Sequence, residues 1–280
     1  MRSSSGASYR NVNGLQRGLS VLVAVNRMPA GIATANDVAR ATQLHRTTAR
    51  RLLETLTTQG YLRRSTSDDS YRLQIKVREL SEGFTDDEWV SAVAAPELGE
   101  LLREVVWPSD LTTLDGDAMV IRETTHRFSS LSFHRAMVGR RVPMLYTACG
   151  RAYLAYCPES EREQLLRLLV SGDDEQAQFA RNAALVERLI ARVRSDGYGV
   201  NEGDWRAEPH IGALALPIRC GEQVLGCVSV VYLRRALGTA AAVERLMPAL
   251  RRSAQNIERG LAMRAGAQPA PATDVTDVNA

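Results

Sequence analysis

The sequence predicts an α+β protein of two domains. A short module of three helices and a hairpin precedes a larger antiparallel sheet with helices on its faces. Three observations predict this. Apolar residues recur with helical spacing through residues 14–58, and the period drops to two just after them. From Ser109 the period is again two, and it returns near residues 211–233 with helical stretches between. Charge divides the chain as well. Residues 1–80 hold 13 Lys and Arg against 5 Asp and Glu, a balance of +8, and the remainder holds 22 against 27, a balance of −5.

The 280 residues are enough for two modest domains. A 45% apolar and 24% charged composition is that of a soluble globular chain, and only 5% aromatics predicts an aliphatic core. No run approaches the roughly 18 apolar residues of a membrane span. The first ten residues are Ser-rich without an apolar stretch, which predicts no secretory signal and a cytoplasmic location. Cys149, Cys157, Cys220 and Cys227 then read as reduced thiols rather than a disulfide scaffold.

Helix one is expected over residues 14–27, with Leu15, Leu19, Leu22 and Val23 as its apolar stripe. Met28-Pro29-Ala30-Gly31 ends it, because proline cannot continue the ladder. Thr34 and Asp37 form a T-x-x-D box that caps a second helix, whose Val38, Ala41 and Leu44 face inward. After a tight connection at Leu44-His45, helix three covers residues 46–58 on an apolar face of Ala49, Leu52, Leu53 and Leu56. Thr47, Arg51 and Glu54 lie opposite that face, with Thr48 and Arg50 on its flanks. Gly60 supplies the stop. Tyr61-Leu62-Arg63-Arg64 and Tyr71-Arg72-Leu73 then flank a Ser/Asp turn, a hairpin signal.

Three helices and a basic hairpin make a winged helix-turn-helix over residues 12–75, with double-stranded DNA as its expected partner. Guanidinium and hydroxyl groups on the outer face of helix three suit guanine edges, phosphates and thymine methyls in a major groove. The DNA-facing candidates are Thr34, Arg46, Thr47, Thr48, Arg50 and Arg51, with Arg63 and Arg64 on the wing against phosphates.

Residues 76–88 read as a linker helix and residues 89–264 as the second domain. Residues 1–11 and the Ala/Pro/Thr/Asp-rich residues 265–280 are expected to be disordered. Strands at residues 111–114 and 119–123 flank the turn Asp115-Gly116-Asp117-Ala118, and residues 127–134 suggest another strand. Helices are expected over residues 147–156, 161–170, 183–195 and 240–263, and paired strands over 211–218 and 224–233.

No enzyme chemistry stands out. His45, His126, His134 and His210 are scattered without metal-ligand spacing, and Cys-x-x-Cys, G-x-S-x-G, Walker and G-x-G-x-x-G patterns are missing from the sequence. No metal or cofactor is expected. Cys149 reads as a small buried hydrophobe rather than a nucleophile. The competing reading is an enzyme of small carboxylates or esters carrying a basic accessory domain.

The run Leu15-Gln16-Arg17-Gly18-Leu19, the run from Leu44-His45-Arg46-Thr47-Thr48-Ala49 through Arg50-Arg51-Leu52-Leu53, and Gly60-Tyr61-Leu62 resemble the DNA-binding domain of IclR-type bacterial transcription regulators. Arg141-Val142-Pro143, Thr147-Ala148-Cys149-Gly150-Arg151-Ala152 and residues 213–231 resemble that family's GAF-like effector-binding domain, so the likeness covers residues 14–262. It implies a homodimer or tetramer, reading half-sites about one helical turn apart, and a small aromatic or short aliphatic carboxylate effector. Stretches such as Ile75-Lys76-Val77-Arg78-Glu79-Leu80 resemble members that control phenylpropionate-type aromatic catabolism, which implies an aromatic acid. Carried over from the family, the pocket takes Cys149, Gly150, Arg151 and Ala152 on one wall, Asp204 and Trp205 on a loop, and Ala213, Ser229 and Val231 on strands. Where the family often has Cys and Ser, this chain has Ala213 and Val231, which makes the pocket less polar. A buried carboxylate needs a cationic or N–H partner, and Arg135, Arg141 and Arg151 are the cationic candidates.

Overall fold

The computed structural model describes residues 12–81, 89–132, 134 and 136–267, and the chain divides into the units Met1–Thr85 and Asp86–Ala280. In the first unit, α1 (Asn13–Arg27), α2 (Ala35–Thr42) and α3 (Arg46–Thr58) precede the hairpin β2 (Leu62–Arg64) and β3 (Tyr71–Leu73). A two-residue strand, β1 (Ile32–Ala33), pairs with β3, giving the antiparallel order β1-β3-β2. The winged helix-turn-helix is therefore formed.

The capping box closes as expected. The Asp37 amide donates to Thr34 Oγ1, and the Thr34 amide and hydroxyl donate to Asp37 Oδ2 at 3.0 and 2.7 Å. These bonds hold the Asp37 carboxyl below its ordinary value, led by the Thr34 hydroxyl. Gly60 carries φ +80° past the end of α3, a conformation that favours glycine.

The face of α1 differs from expectation. Val21, Leu22, Ala24 and Val25 are buried, whereas Leu15 and Leu19 are 63% and 54% exposed and Val23 is exposed too. Between Leu19 and Val25 only Ser20 is polar, so the sequence offers several apolar faces. Packing on Val38, Ala49 and Leu53 selects one of them. On α2, Ala41 is exposed rather than inward-facing; the buried residues of that helix are Ala35 and Val38.

The described part of the expected linker helix is a 3-10 segment, Ile75–Ser81, and residues 82–88 lie outside the described residues. The second unit begins with a π-helical turn, Val90–Ala94, running into α4 (Ala95–Val105). Its antiparallel sheet has the order β6-β5-β4-β9-β8-β7. The strands are β4 (Ser109–Asp115), β5 (Ala118–Thr124), β6 (Arg141–Pro143), β7 (Gly199–Asn201), β8 (Ile211–Cys220) and β9 (Gln223–Leu233). Between β6 and β7 lie α5 (Ala148–Tyr156), α6 (Glu159–Val170), α7 (Glu175–Ala180) and α8 (Ala183–Asp196), and α9 (Thr239–Ala267) closes the described chain.

Alternation along the strands gives the sheet two apolar faces. Leu111, Leu214, Leu216, Val228 and Val230 pack with α4 and α9, while Met119, Ile121, Ala213, Ala215 and Cys227 pack with α5 and α8. Residues 127–134 contain no strand among the described residues. The described residues of this segment form turns, with Phe128 and Leu131 exposed. Of the expected disordered termini, residues 265–267 continue α9, while residues 1–11 and 268–280 lie outside the described residues.

Candidate nucleic-acid face and effector cavity

The outer face of α3 is built by its inner one. Ala49 and Leu53 are fully buried, which turns Arg46, Thr47, Arg50 and Arg51 to solvent and leaves Thr48 half-buried. Among the described residues, the guanidinium groups of Arg46, Arg50, Arg51 and Arg63 make no hydrogen bond or ion pair. They are cations without an internal partner, which is what phosphate or guanine binding requires. His45 caps α3 through Nδ1, which lies 2.9 Å from Thr47 Oγ1.

Two candidates are engaged elsewhere. The Thr34 hydroxyl is used within its capping box. Arg64 is tied to Asp69 and, at 3.2 Å, to Glu54 Oε1, which also accepts the Tyr71 hydroxyl at 2.7 Å. Burial and then the Glu54 bond push the Tyr71 phenol up to about 12, so it stays a donor. Arg64 thus braces the wing against α3, a role that residue type alone could not reveal.

In the second unit a cavity opens on the α5 face of the sheet. Of the expected effector residues, Cys149, Trp205, Ala213, Ser229 and Val231 line it. The others do not. Gly150 is a packing glycine, because an added Cβ would overlap the backbone of Met144. Ala152 is fully buried in the core against α8. Arg151, 8% exposed, donates to the carbonyls of Leu145 at 2.8 Å and Val200 at 2.6 Å, and to Asp204 Oδ2 at 2.8 Å. Asp204 is therefore part of a loop anchor. Burial opposes its ionisation, but the Arg151 guanidinium outweighs that and holds the carboxyl below its ordinary value. Arg141 is exposed at the start of β6, paired with Asp115 and Asp117 at the β4–β5 turn. Arg135 lies outside the described residues.

The sequence reading missed the polar wall of the cavity: Asp110, His126, His134, Arg140 and Glu208. Arg140 Nη2 donates to Glu208 Oε1 at 2.8 Å, and its guanidinium lies 5.0 Å from the Trp205 ring centre. Asp110 on β4 is the register partner of Ser229 on β9, so strand pairing places both on the cavity face. The available signal was a carboxylate inside an alternating strand, Ser109-Asp110-Leu111-Thr112, where burial demands a partner. The Cys149 thiol is pushed up by burial, which keeps it protonated. At the start of α5, Thr147 Oγ1 accepts the Gly150 amide, and the first-turn amides of Ala148 and Cys149 have no intrahelical carbonyl.

Two family models match the chain: an IclR helix-turn-helix domain at residues 14–66 and the bacterial transcriptional regulator IclR C-terminal domain at residues 85–259. The HTH-type transcriptional regulator XynR of Escherichia coli (strain K12) is 26% identical over 208 residues, covering 74% of this chain and 80% of that protein. The Pca regulon regulatory protein of Pseudomonas putida is 28% identical over 221 residues, covering 77% and 72%. A crystal structure of an IclR homolog complexed with 4-hydroxybenzoate, from Microbacterium hydrocarbonoxydans, aligns with TM-score 0.58 at 25% identity, over 89% of this chain and 99% of that one.

Proposed function

The chain belongs to the IclR family of bacterial transcriptional regulators, and from that premise we propose that it controls a catabolic operon for phenylpropionate-type aromatic acids, in the manner of the activator of 3-hydroxyphenylpropionate degradation. It is a DNA-binding regulator and not an enzyme. The observation that carries the aromatic reading is the cavity's apolar lining of Ile121, Val142, Ala213, Trp205 and Val231. The 4-hydroxybenzoate bound by a structural relative supports the same class of ligand.

The effector carboxylate is placed on the first turn of α5, where the Ala148 and Cys149 amides meet the positive end of the helix dipole. Arg140 is the cation lining the cavity among the described residues. Arg46, Thr47, Thr48, Arg50 and Arg51 enter the major groove, and Arg63 on the wing meets phosphate. The working unit is a homodimer or larger, because a two-fold pair of recognition helices reads paired half-sites. The exposed stripe Leu15, Leu19 and Val23 on α1, with Val12 just before it, supports a second copy in that unit.

A thermal-shift screen of the full chain against benzoate, 3-phenylpropionate, their hydroxylated forms and short aliphatic acids tests the effector class. An aromatic acid in excess should raise the midpoint, since stabilisation follows free ligand over its dissociation constant. A rise with short aliphatic acids alone would overturn the aromatic reading.

A further inference from the structure

The polar wall of the cavity is short of available positive charge. Its lining holds two carboxylates, Asp110 and Glu208, against the Arg140 guanidinium and the rings of His126 and His134. Arg140 is already engaged, because its Nη2 donates to Oε1 of Glu208, a residue only 7% exposed. A carboxylate effector therefore meets an arginine whose charge is spent. Drawing Arg140 away leaves Glu208 as a buried carboxylate without its cation, which is costly. Asp110 has partners of its own: the Thr124 hydroxyl donates to Oδ1 at 2.6 Å, and His126 Nε2 lies 3.5 Å from Oδ2.

A replacement cation stands beside Glu208. His134 Nε2 lies 3.4 Å from the same Oε1, and it has no hydrogen-bond partner while Arg140 holds that oxygen. Arg140 and His126 share the β5–β6 connection with His134, and the His126 ring centre is 6.0 Å from its own. From the loop before β8, His210 Nε2 lies 3.7 Å from Glu208 Oε2. Cys149 on α5 and Tyr232 on β9 line the hollows on either side of the ring, and burial raises both, so they stay neutral. Burial lowers the His134 pKa below its ordinary 6.5, Glu208 opposes that shift, and Arg140 and His126 add to it. The ring is thus neutral at pH 7 while Arg140 stays on Glu208. An effector carboxylate on Arg140 cancels that repulsion and exposes the Glu208 charge to His134, and both changes raise the His134 pKa.

We propose that the effector binds by a proton-coupled hand-over: its carboxylate takes Arg140 from Glu208, and His134 takes a proton from solvent on Nε2 to pair with Glu208 in its place. His134 and Glu208 are then positioning residues that act through Arg140. This rests on the cavity being the effector site, and it adds control of that site by pH. One N–H bond forms on His134, and the proton leaves a water or buffer molecule. The liganded state holds one more proton than the free state at any pH between the two His134 pKa values. Affinity therefore rises as pH falls through that window, and it levels off above and below it.

Calorimetric titration of the full chain with benzoate, 4-hydroxybenzoate, 3-phenylpropionate and propionate tests this. At about pH 7, titrations in two buffers of different ionisation enthalpy should show net uptake approaching one proton per acid bound. Affinity should tighten between about pH 8 and about pH 6.5, by at most roughly ten-fold per unit. The acids are ionised throughout that range, so the slope belongs to the protein. His134→Gln keeps an N–H donor beside Glu208 but cannot titrate, so uptake should vanish and the pH dependence flatten. Glu208→Gln removes the charge that holds Arg140, so affinity at the alkaline end should rise toward the parent's value at the acid end, again without uptake. A merely structural Glu208 gives weaker binding instead. His210→Gln should take up a proton as the parent does. Operator binding and the melting midpoint report whether each variant folds, and uptake by the parent is decisive without them. Binding without uptake overturns the hand-over and leaves the effector reading in place. Uptake that survives His134→Gln, or that is lost in His210→Gln alone, overturns the hand-over as well. Binding of none of the four acids overturns both readings.

Discussion

At the scale of single residues, the side chains with work inside the protein are separable from those without it. Thr34 resembles a DNA contact by position, but its hydroxyl is spent on the α2 cap. Thr34→Ala should therefore lower the unfolding free energy by about 1 kcal/mol, the usual value of a cap. Denaturant titration checks this, and an unchanged midpoint with weakened operator binding would return Thr34 to the DNA face. Asp204 gives a pH prediction. Its folded carboxyl lies below the ordinary 3.8, so the Arg151 pair adds stability above that value and loses it as pH falls through the folded one. Asp204 is 44% exposed, which discounts the pair, so Asp204→Asn should cost about 1 kcal/mol at pH 7. The gap between variant and parent should close as pH falls below the ordinary carboxylate range, and a gap independent of pH would deny the pair its role. The Thr34 cap was legible in the local T-x-x-D spacing, whereas the Asp204 role was hidden, since the Arg151 guanidinium that holds it is itself fixed by the carbonyls of Leu145 and Val200 in other segments.

At the scale of elements, the strongly periodic segments were legible and the short or evenly apolar ones were not. α3, β4, β5, β8, β9 and α9 could be read because one face of each is apolar and the other is not, or because a turn marks the hairpin. The inner face of α1 was misjudged because its apolar run surrounds the helix, and only the packing partners choose. β7 and α7, at 3 and 6 residues, are too short to show a period. In the cavity, the residues on β8, β9 and the start of α5 were legible through resemblance, whereas Asp110, His126 and Glu208 come together only through β4–β9 pairing and the loops beside it. Element geometry also reassigns Gly150, which lets α5 start directly against Met144. Gly150→Ala should destabilise the second unit by about 1–3 kcal/mol through overpacking, read as a lower midpoint. For α3 and the wing, Arg51→Ala should weaken specific binding by about 1–3 kcal/mol if it reads a base. Arg63→Ala should weaken all sequences alike and reduce the slope of log affinity against log salt by about 0.9, as loss of one phosphate contact does. Salt-dependent anisotropy separates the two, and the same slope change for Arg51 would demote it to a phosphate contact.

At the scale of the whole molecule, the charge division matches the division of labour: the basic first unit offers unpaired arginines, and the acidic second unit holds the cavity. Regulation requires that these two units exchange free energy. If the effector changes operator affinity by some factor, the operator must change effector affinity by the same factor, whatever structural route joins them. Couplings of this kind are typically about 1–3 kcal/mol, or roughly 5–150-fold. Ser229 offers a way to break the exchange at one end. It is 4% exposed on β9 and lines the cavity, so Ser229→Leu fills space that a ligand needs while leaving every residue of α3 and the wing unchanged. Titrating effector into the full chain with and without saturating operator duplex should give two affinities whose ratio equals that of operator affinities with and without effector. Ser229→Leu should bind operator as the parent does, melt cooperatively, and lose the ratio at both ends. Unequal ratios in the parent would mean that one ligand also acts at a second site. A parent-like effector response in Ser229→Leu would place the effector outside this cavity, because a ligand seated against β9 could not ignore two added heavy atoms on that strand.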